Sequence, residues 1–177
     1  LGGSLFFPGN ATMVSEANFY WDPHAVKQVL QTRIPIYILP LNISEQCQIS
    51  THQLKKLKHN LLLNKIFRNY IYYYIHQKAY YSTFPGNKGI RYKGAAIHDV
   101  LTIACVKNMK LFRFKKIPIS LEYTETIPGF ICPVLRKEQL SNKNIILVNV
   151  AMDMNKTLFW KDFYQTLSNK KTYELYS

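Results

Sequence analysis

The spacing of hydrophobic residues changes along the chain, and each spacing predicts a different kind of element. Residues 23–32 place alanine, valine and leucine at helical intervals, which predicts an amphipathic helix. Residues 34–39 form a short, isoleucine-rich apolar run, which is typical of a buried strand in a parallel sheet. Pro40 ends this run because a central strand cannot give up a backbone N–H. A helix followed directly by such a strand indicates the α/β fold class.

Helical periodicity returns further along the chain, and apolar alternation predicts more strands. The predicted elements are the end of a strand at 1–3, a loop at 4–21, one or two helices within 50–81, a helix at 95–108, strands at 112–114, 117–123 and 145–152, and a closing helix that Asn155 caps and that runs through 167. The segment 82–93 contains Pro85, Gly86 and Gly89, which predict a loop. That loop fits either a lid over a site or an ordinary surface connection.

A polar loop near the start of the chain carries the strongest functional signal. It brings two amides and one carboxylate, those of Asn10, Glu16 and Asn18, ahead of a helix whose start is marked by Asp22-Pro23. An aspartate N-cap accepts backbone N–H bonds, and proline at the first helical position loses no needed donor. A carboxylate that accepts, beside amides that donate and accept, can read a polyhydroxylated ligand such as a sugar. The alternative is that these side chains only satisfy the loop backbone.

The first turn of the predicted helix at 95–108 carries the pair His98-Asp99. Taken by itself, Asp99 is explained by the helix dipole, which favours a carboxylate there. Taken together with the polar loop, Asp99 is a hard oxygen donor suited to Ca²⁺. His98 is suited to donate a proton near neutral pH.

These two motifs together resemble a known family. The segment Gly9-Asn10, Thr12, Glu16, Asn18 and Asp22-Pro23 resembles the sugar-binding segment of the inosine–uridine nucleoside hydrolases. The segment 96–104 resembles that family's His-Asp helix start, where the aspartate binds Ca²⁺. The two motifs follow the family's order at about its spacing.

The resemblance implies a Ca²⁺-dependent enzyme that hydrolyses the N-glycosidic bond of a ribonucleoside. It implies that Asn18 binds the ring hydroxyls, while Glu16 and Asn10 hold the 5′-hydroxyl. It also implies that Asp99 ligates Ca²⁺ and that His98 serves the leaving base. The implied fold is an open, mostly parallel sheet with flanking helices, and the family forms dimers and tetramers.

One segment of the family pattern is absent from this sequence. The family carries an aspartate-rich segment of the kind Asp-x-Asp-x-Gly-x-Asp-Asp, which supplies most of the metal ligands and the base for the attacking water, and none occurs here. We therefore expect residues 1–177 to be the C-terminal portion of a single nucleoside hydrolase domain. The remaining calcium ligands are expected in a missing N-terminal portion, and the chain alone is expected to have little or no hydrolase activity.

The formal net charge of +13 raises a hypothesis of a different class. No aspartate or glutamate occurs from 46 through 98, while lysine, arginine and tyrosine are interleaved across 50–93. Such a region can bind a phosphate backbone and stack bases on its tyrosines. The alternative to an enzyme is therefore a non-catalytic basic module that binds nucleic acid or a protein partner through 50–93. Because lysine, asparagine, tyrosine and isoleucine are abundant throughout, we do not expect a dedicated nucleic-acid partner.

Cysteine usage and hydropathy set the remaining expectations. Cys47, Cys105 and Cys132 are an odd number without C-x-x-C spacing, so neither a disulfide framework nor a zinc site is indicated. A reducing, cytoplasmic setting is the default for such a chain. No apolar run approaches the roughly 20 residues that cross a bilayer, so no membrane partner is expected.

Overall fold

The computed structural model of the chain describes residues 1–32, 34–57, 61–82, 94–136 and 145–168, with side chains in the third range described through 76. The helices are α1 (Ala17–Trp21), α2 (Pro23–Leu30), α3 (Leu41–Ser44), α4 (Thr51–Leu54), α5 (Leu61–Ser82), α6 (His98–Lys107) and α7 (Lys156–Ser168). The strands are β1 (Tyr37–Ile38), β2 (Gln48–Ile49), β3 (Ala95–Ala96), β4 (Phe112–Leu121), β5 (Ile131–Pro133) and β6 (Ile146–Met154), and 3₁₀ turns lie at Lys55–Leu57 and Met109–Leu111.

Two stretches of sequence contribute to each of two compact units. The first unit comprises Leu1–Gln46 and His98–Met154, and the second comprises Cys47–Ile97 and Asn155–Ser177. The assignment of 1–177 to a single partial domain stays a prediction.

A four-stranded sheet in the order β1-β6-β4-β5 organises the first unit. β1 runs parallel to β6, with Tyr37 opposite Asn149. The pairs β4–β6 and β4–β5 are antiparallel. The α/β class is confirmed, while the described sheet is mixed rather than mostly parallel. For β4 and β5 the reason lies in their connection, since the short link at 122–130 favours an antiparallel return, whereas a parallel pair needs a long crossover.

The core of the first unit lies on one face of this sheet. On β4 the buried residues Ile117, Ile119 and Leu121 alternate with half-buried ones, as the two-residue period of a strand requires. The buried core residues are Leu5, Leu30, Ile38, Ile117, Ile119, Leu121, Ile131, Val148 and Val150. Phe19 and Val26 pack against this core, so α1 and α2 are held on the sheet by their apolar side chains.

The second unit combines helices with a two-stranded antiparallel ladder of β2 and β3. Its predicted helices are confirmed: the region 50–81 forms α4, a 3₁₀ turn and the long α5. α4 begins at a capping box in which Ser50 and Gln53 satisfy each other's backbone N–H. On α7 the buried Phe159 and Phe163 form the apolar stripe, and the ring of Phe67 lies 6.0 Å from that of Phe163.

The beginning of the first unit differs from its prediction in detail. The predicted strand at 34–39 pairs only at Tyr37–Ile38, and Tyr37 is 48% exposed because β1 is an edge strand of the described sheet. Residues 1–3 are not a paired strand, although Gly2 N donates to Leu39 O (3.1 Å). The predicted loop at 4–21 already contains α1.

Two further predictions concern the loop and the membrane. Of the predicted loop at 82–93, Ser82 ends α5, and 83–93 lies outside the described residues. None of the described helices has the length and apolar content needed to cross a bilayer.

Candidate active site

A cavity of about 200 Å³ in the first unit is lined by all five side chains that the sequence predicts as site residues. The residues that line it are Leu1, Gly2, Asn10, Glu16, Ala17, Asn18, Leu41, Ser44, His98 and Asp99. The polar loop and the start of α6 are far apart in sequence, so their meeting is a property of the fold. The structure thus brings all five predicted site residues together, while their roles stay predictions.

Glu16 is the buried anchor of this site, with 4% of its surface exposed. Its Oε2 accepts from Gly3 N (2.8 Å) and from Phe19 N (3.3 Å), and its Oε1 accepts from Asn18 N (3.0 Å). Glu16 therefore caps α1 and ties the first residues of the chain to that helix. A carboxylate has about four acceptor positions, so one remains for a ligand hydroxyl.

Asn10 and Asn18 line the cavity and are both exposed to solvent. Asn10 Oδ1 accepts from Ala17 N (2.9 Å), which orients the amide and leaves its NH₂ group as a donor. Asn18 Nδ2 lies 3.5 Å from Leu1 O, at the limit of a hydrogen bond, and its Oδ1 is an acceptor. Asn10 and Glu16 accept hydrogen bonds from backbone N–H groups, which is the role that the alternative to sugar binding assigned to them. Each side chain can still form a further hydrogen bond to a ligand.

Close backbone contacts explain why this loop carries glycine and threonine. The carbonyl of Ser15 accepts N–H bonds from Asn10 (3.2 Å) and Ala11 (3.1 Å), and Thr12 Oγ1 accepts from Ser15 N (2.9 Å). A Cβ on Gly9 would stand 2.2 Å from Ser15 O, so only glycine fits there. The loop is therefore folded back on itself, which holds Asn10 in place over α1.

Gly3 serves the same site from the start of the chain. Its φ of +74° lies in the left-handed region, where glycine is favoured, and its N–H reaches Glu16 Oε2. A Cβ there would stand 2.4 Å from Ile131 Cδ1 in the core. Gly3 thus lets the backbone turn where it passes between Ile131 of β5 and the buried carboxylate of Glu16.

His98 and Asp99 approach the cavity from the first turn of α6. His98 is half-buried and its Nδ1 lies 2.8 Å from Ser44 Oγ. Asp99 is exposed. Ser44 is fully buried and is the one polar lining residue that the sequence analysis missed. Nothing in the sequence distinguishes it from any other serine at the end of a short helix.

The described residues contain carboxylates at the cavity but no cluster of metal-binding side chains there. Ca²⁺ takes six to eight oxygen ligands, and the described residues contain no group of three or more His, Cys, Asp or Glu side chains that could hold a metal. Of the two carboxylates that line the cavity, Glu16 is buried and accepts three backbone N–H bonds, whereas Asp99 is exposed.

Comparison with known proteins identifies the family. A family model described as "Inosine-uridine preferring nucleoside hydrolase" matches residues 1–161. The chain belongs to this family. The resemblance seen in the two motifs is thereby confirmed, and it extends over most of the chain.

Curated relatives of this nucleoside hydrolase chain carry related names. Uridine nucleosidase 1 of Arabidopsis thaliana is 28% identical over 127 residues, which are 69% of this chain and 34% of that protein. Pyrimidine-specific ribonucleoside hydrolase RihA of Photobacterium profundum is 26% identical over 169 residues, which are 96% of this chain and 52% of that protein. The chain therefore spans about half the length, or less, of these relatives.

Solved structures of nucleoside hydrolases share the fold. The plant nucleoside hydrolase PpNRh1 has a TM-score of 0.77 at 19% identity, over 94% of this chain and 52% of that one. The purine-preferring ribonucleoside hydrolase from Gardnerella vaginalis has a TM-score of 0.73 at 22% identity, over 95% of this chain and 50% of that one. These likenesses confirm the nucleoside-hydrolase-like fold.

Proposed function

We propose that this chain is the ribose-binding portion of a ribonucleoside hydrolase, which releases ribose and a purine or pyrimidine base. The observation that carries the proposal is the single cavity lined by Asn10, Glu16, Asn18, His98 and Asp99. Support comes from the family match and from relatives named uridine nucleosidase and ribonucleoside hydrolase.

The hydrogen-bonding capacity of the cavity fits a sugar. Glu16 offers one remaining acceptor position and Asn10 offers its NH₂ group, which suits the 5′-hydroxyl. Asn18 offers an amide oxygen for the ring hydroxyls. A volume of about 200 Å³ is below the ~300–1,000 Å³ of pockets for drug-sized ligands. It suits one sugar ring, with the base outside it.

The proposed reaction divides between groups in this chain and groups elsewhere. As the bond between C1′ and the base nitrogen breaks, its electron pair goes to the base, and the ribose gains oxocarbenium character. His98 donates a proton to the departing base. Water adds at C1′ and gives its proton to a general base that we place outside the described residues.

We also propose calcium as the cofactor, with Asp99 as one ligand. Because the described residues contain no cluster of three or more His, Cys, Asp or Glu side chains, we place the other ligands outside these residues. A bound Ca²⁺ would polarise water and hold sugar hydroxyls. The carboxylate chemistry and exposure of Asp99 support this role.

Assembly and location are proposals that follow from the same assignment. We propose a homo-oligomer, dimer or tetramer, as the family resemblance implies. We propose a cytoplasmic setting, which is supported by the three described cysteines, Cys47, Cys105 and Cys132, none of which forms a disulfide bond.

Titration of the ¹⁵N-labelled chain with ribose, inosine and uridine tests the sugar site. We expect shifts confined to the cavity, including the side-chain amides of Asn10 and Asn18. Asn18→Ala should weaken ribose binding about fivefold, the value of one net hydrogen bond of about 1 kcal/mol. Asn69→Ala, which removes an exposed amide from α5 in the second unit, should leave binding unchanged. Absence of shifts at the cavity with all three ligands would refute the proposal.

The competing hypothesis of a basic module also has one supporting observation. An open groove of about 650 Å³ beside α4 and α5 is lined partly by the exposed cationic side chains of Lys55 and Arg68 and by the exposed His52. If this groove binds nucleic acid, affinity for single-stranded RNA should fall steeply with salt. Loss of that binding in the double variant Lys55→Gln/Arg68→Gln would favour the module, while equal binding by the variant would count against it.

A further inference from the structure

The hydroxyl of Ser44, a residue that lines the cavity, makes two polar contacts. It is the last residue of α3, and none of its surface is exposed to solvent. Its Oγ lies 3.1 Å from Leu41 O, one turn back, and 2.8 Å from Nδ1 of His98. Ser44 and His98 are 54 residues apart in sequence, so the contact between them is made by the tertiary fold.

The single proton of the serine hydroxyl decides how these contacts are made. If Ser44 donates to Leu41 O, its oxygen accepts from Nδ1–H of His98, and both contacts are hydrogen bonds. If it donates to Nδ1 instead, its oxygen faces Leu41 O without a proton between them. Leu41 O also accepts from Glu45 N (2.9 Å), and a carbonyl has lone pairs for both donors. The first arrangement satisfies more groups in a buried place, where unmade hydrogen bonds are costly.

We propose that Ser44 is a positioning residue that holds His98 in the Nδ1–H tautomer, so that proton exchange takes place at Nε2. This inference rests on the proposed function, in which His98 protonates the leaving base. In that step the Nε2–H bond of the imidazolium breaks and its electron pair stays on the ring. The base nitrogen gains the proton, and His98 is left neutral with its proton on Nδ1. The hydrogen bond between Nδ1–H and Ser44 Oγ is kept throughout, so the imidazole ring of His98 does not have to rotate during the step.

The tautomer is measured directly on the ligand-free, ¹⁵N-labelled chain. Two-bond ¹H–¹⁵N correlation spectra, recorded where the imidazole is neutral, distinguish a protonated from an unprotonated ring nitrogen. His98 is assigned among the five histidines by the loss of its signals in His98→Gln. We expect a protonated Nδ1 and an unprotonated Nε2. A protonated Nε2 in the wild-type chain overturns the proposal, and this measurement needs neither substrate nor metal.

Three variants separate positioning from general structural support. Ser44→Ala should move the proton of His98 to Nε2, the tautomer preferred in water, whereas Ser44→Thr should keep it on Nδ1. Thr102→Val removes a buried hydroxyl on α6 that has no hydrogen-bond partner within the described residues, and it should leave the tautomer unchanged. A tautomer that does not change in Ser44→Ala overturns the proposal. Ser44→Cys, which keeps the volume but accepts hydrogen bonds weakly, should behave as Ser44→Ala does.

The two proposals fail in different experiments. If ribose, inosine and uridine cause no shifts at the cavity, the sugar site is refuted, while the tautomer result still stands. A protonated Nε2 refutes the role of Ser44 while the sugar site still stands.

Discussion

Single side chains in this protein serve both the fold and the cavity, and Glu16 does so most fully. Three backbone N–H groups, those of Gly3, Asn18 and Phe19, converge on its carboxylate. Hydrogen bonds to a charged group are stronger than neutral ones, and their loss in a buried place leaves unsatisfied donors. The same interactions that stabilise α1 therefore hold this carboxylate in the cavity.

Replacing this carboxylate should reveal its structural contribution. In Glu16→Gln one amide oxygen cannot accept all three N–H bonds, so we expect a loss of about 1–3 kcal/mol in the free energy of unfolding. Urea denaturation measures this value. Glu125→Gln, at an exposed position, is the matched control and should change stability by less than about 0.5 kcal/mol. Equal stability of both variants would contradict the described contacts.

Cys47 should make the free energy of unfolding depend on pH in the alkaline range. Burial raises the pKa of its thiol from 9.0 to about 12, against a smaller opposing effect of the Lys156 charge. As the pH rises, the unfolded chain therefore loses this proton before the folded chain does. The contribution of the neutral thiol to the free energy of unfolding is complete below about pH 9 and is lost as the pH rises toward about 12. Between about pH 8 and about pH 10 the wild type should lose about 1.4 kcal/mol more than Cys47→Ala.

Urea denaturation of both proteins at the two pH values measures this difference. Other groups that titrate in this range are common to both proteins and cancel in the comparison. Cys132→Ala, at an exposed cysteine, should keep the wild-type dependence. Parallel pH profiles of wild type and Cys47→Ala would show that Cys47 is not protected by burial.

Among the helices, those with strong local start signals follow the sequence most closely. α2 begins at Pro23 after the Asp22 cap, whose Oδ1 accepts from Ala25 N (2.8 Å). α7 begins after Asn155, whose Oδ1 accepts from Leu158 N (2.9 Å). These bonds span only three residues, so the local sequence is enough to predict them. Strand pairing depends on distant partners, and this is why β1 is shorter than its apolar run suggested.

The cap of α2 provides a test at this level. Asp22→Ala should lower the free energy of unfolding by about 0.5–2 kcal/mol, whereas Asp22→Asn should retain most of it because the amide oxygen can still accept. Thermal or urea denaturation gives the comparison. Gln28→Ala, at an exposed position within the same helix, serves as the control. If Asp22→Ala were no less stable than this control, the cap would have no energetic role.

At the scale of the whole molecule, residues 1–177 carry one part of the proposed chemistry. The chain spans about half of its structural relatives and presents the proposed sugar-binding groups with a single exposed carboxylate at the cavity. One carboxylate does not hold Ca²⁺ in the six-fold to eight-fold oxygen coordination that the ion prefers. The proposed calcium-dependent reaction therefore calls for ligands beyond the described residues.

We accordingly expect the purified 177-residue chain to release ribose from inosine or uridine no faster than the uncatalysed reaction, with or without added calcium. A reducing-sugar assay measures the release. Ribose release that a chelator abolishes, and that Asp99→Asn also abolishes, would show that this chain is sufficient for catalysis.

Local patterns in the amino-acid sequence were enough to predict the α/β class, the capped starts of α2 and α7, and the five candidate residues. Those features depend on local patterns: apolar spacing, N-caps, and glycines such as Gly9 that permit close backbone contact. Only the tertiary structure decided that the sheet is mixed, that Asn10, Glu16 and Asn18 meet His98-Asp99 at one cavity, and that Ser44 binds the His98 ring. Contacts between residues as far apart as Ser44 and His98 depend on how the whole chain packs, which no local pattern encodes.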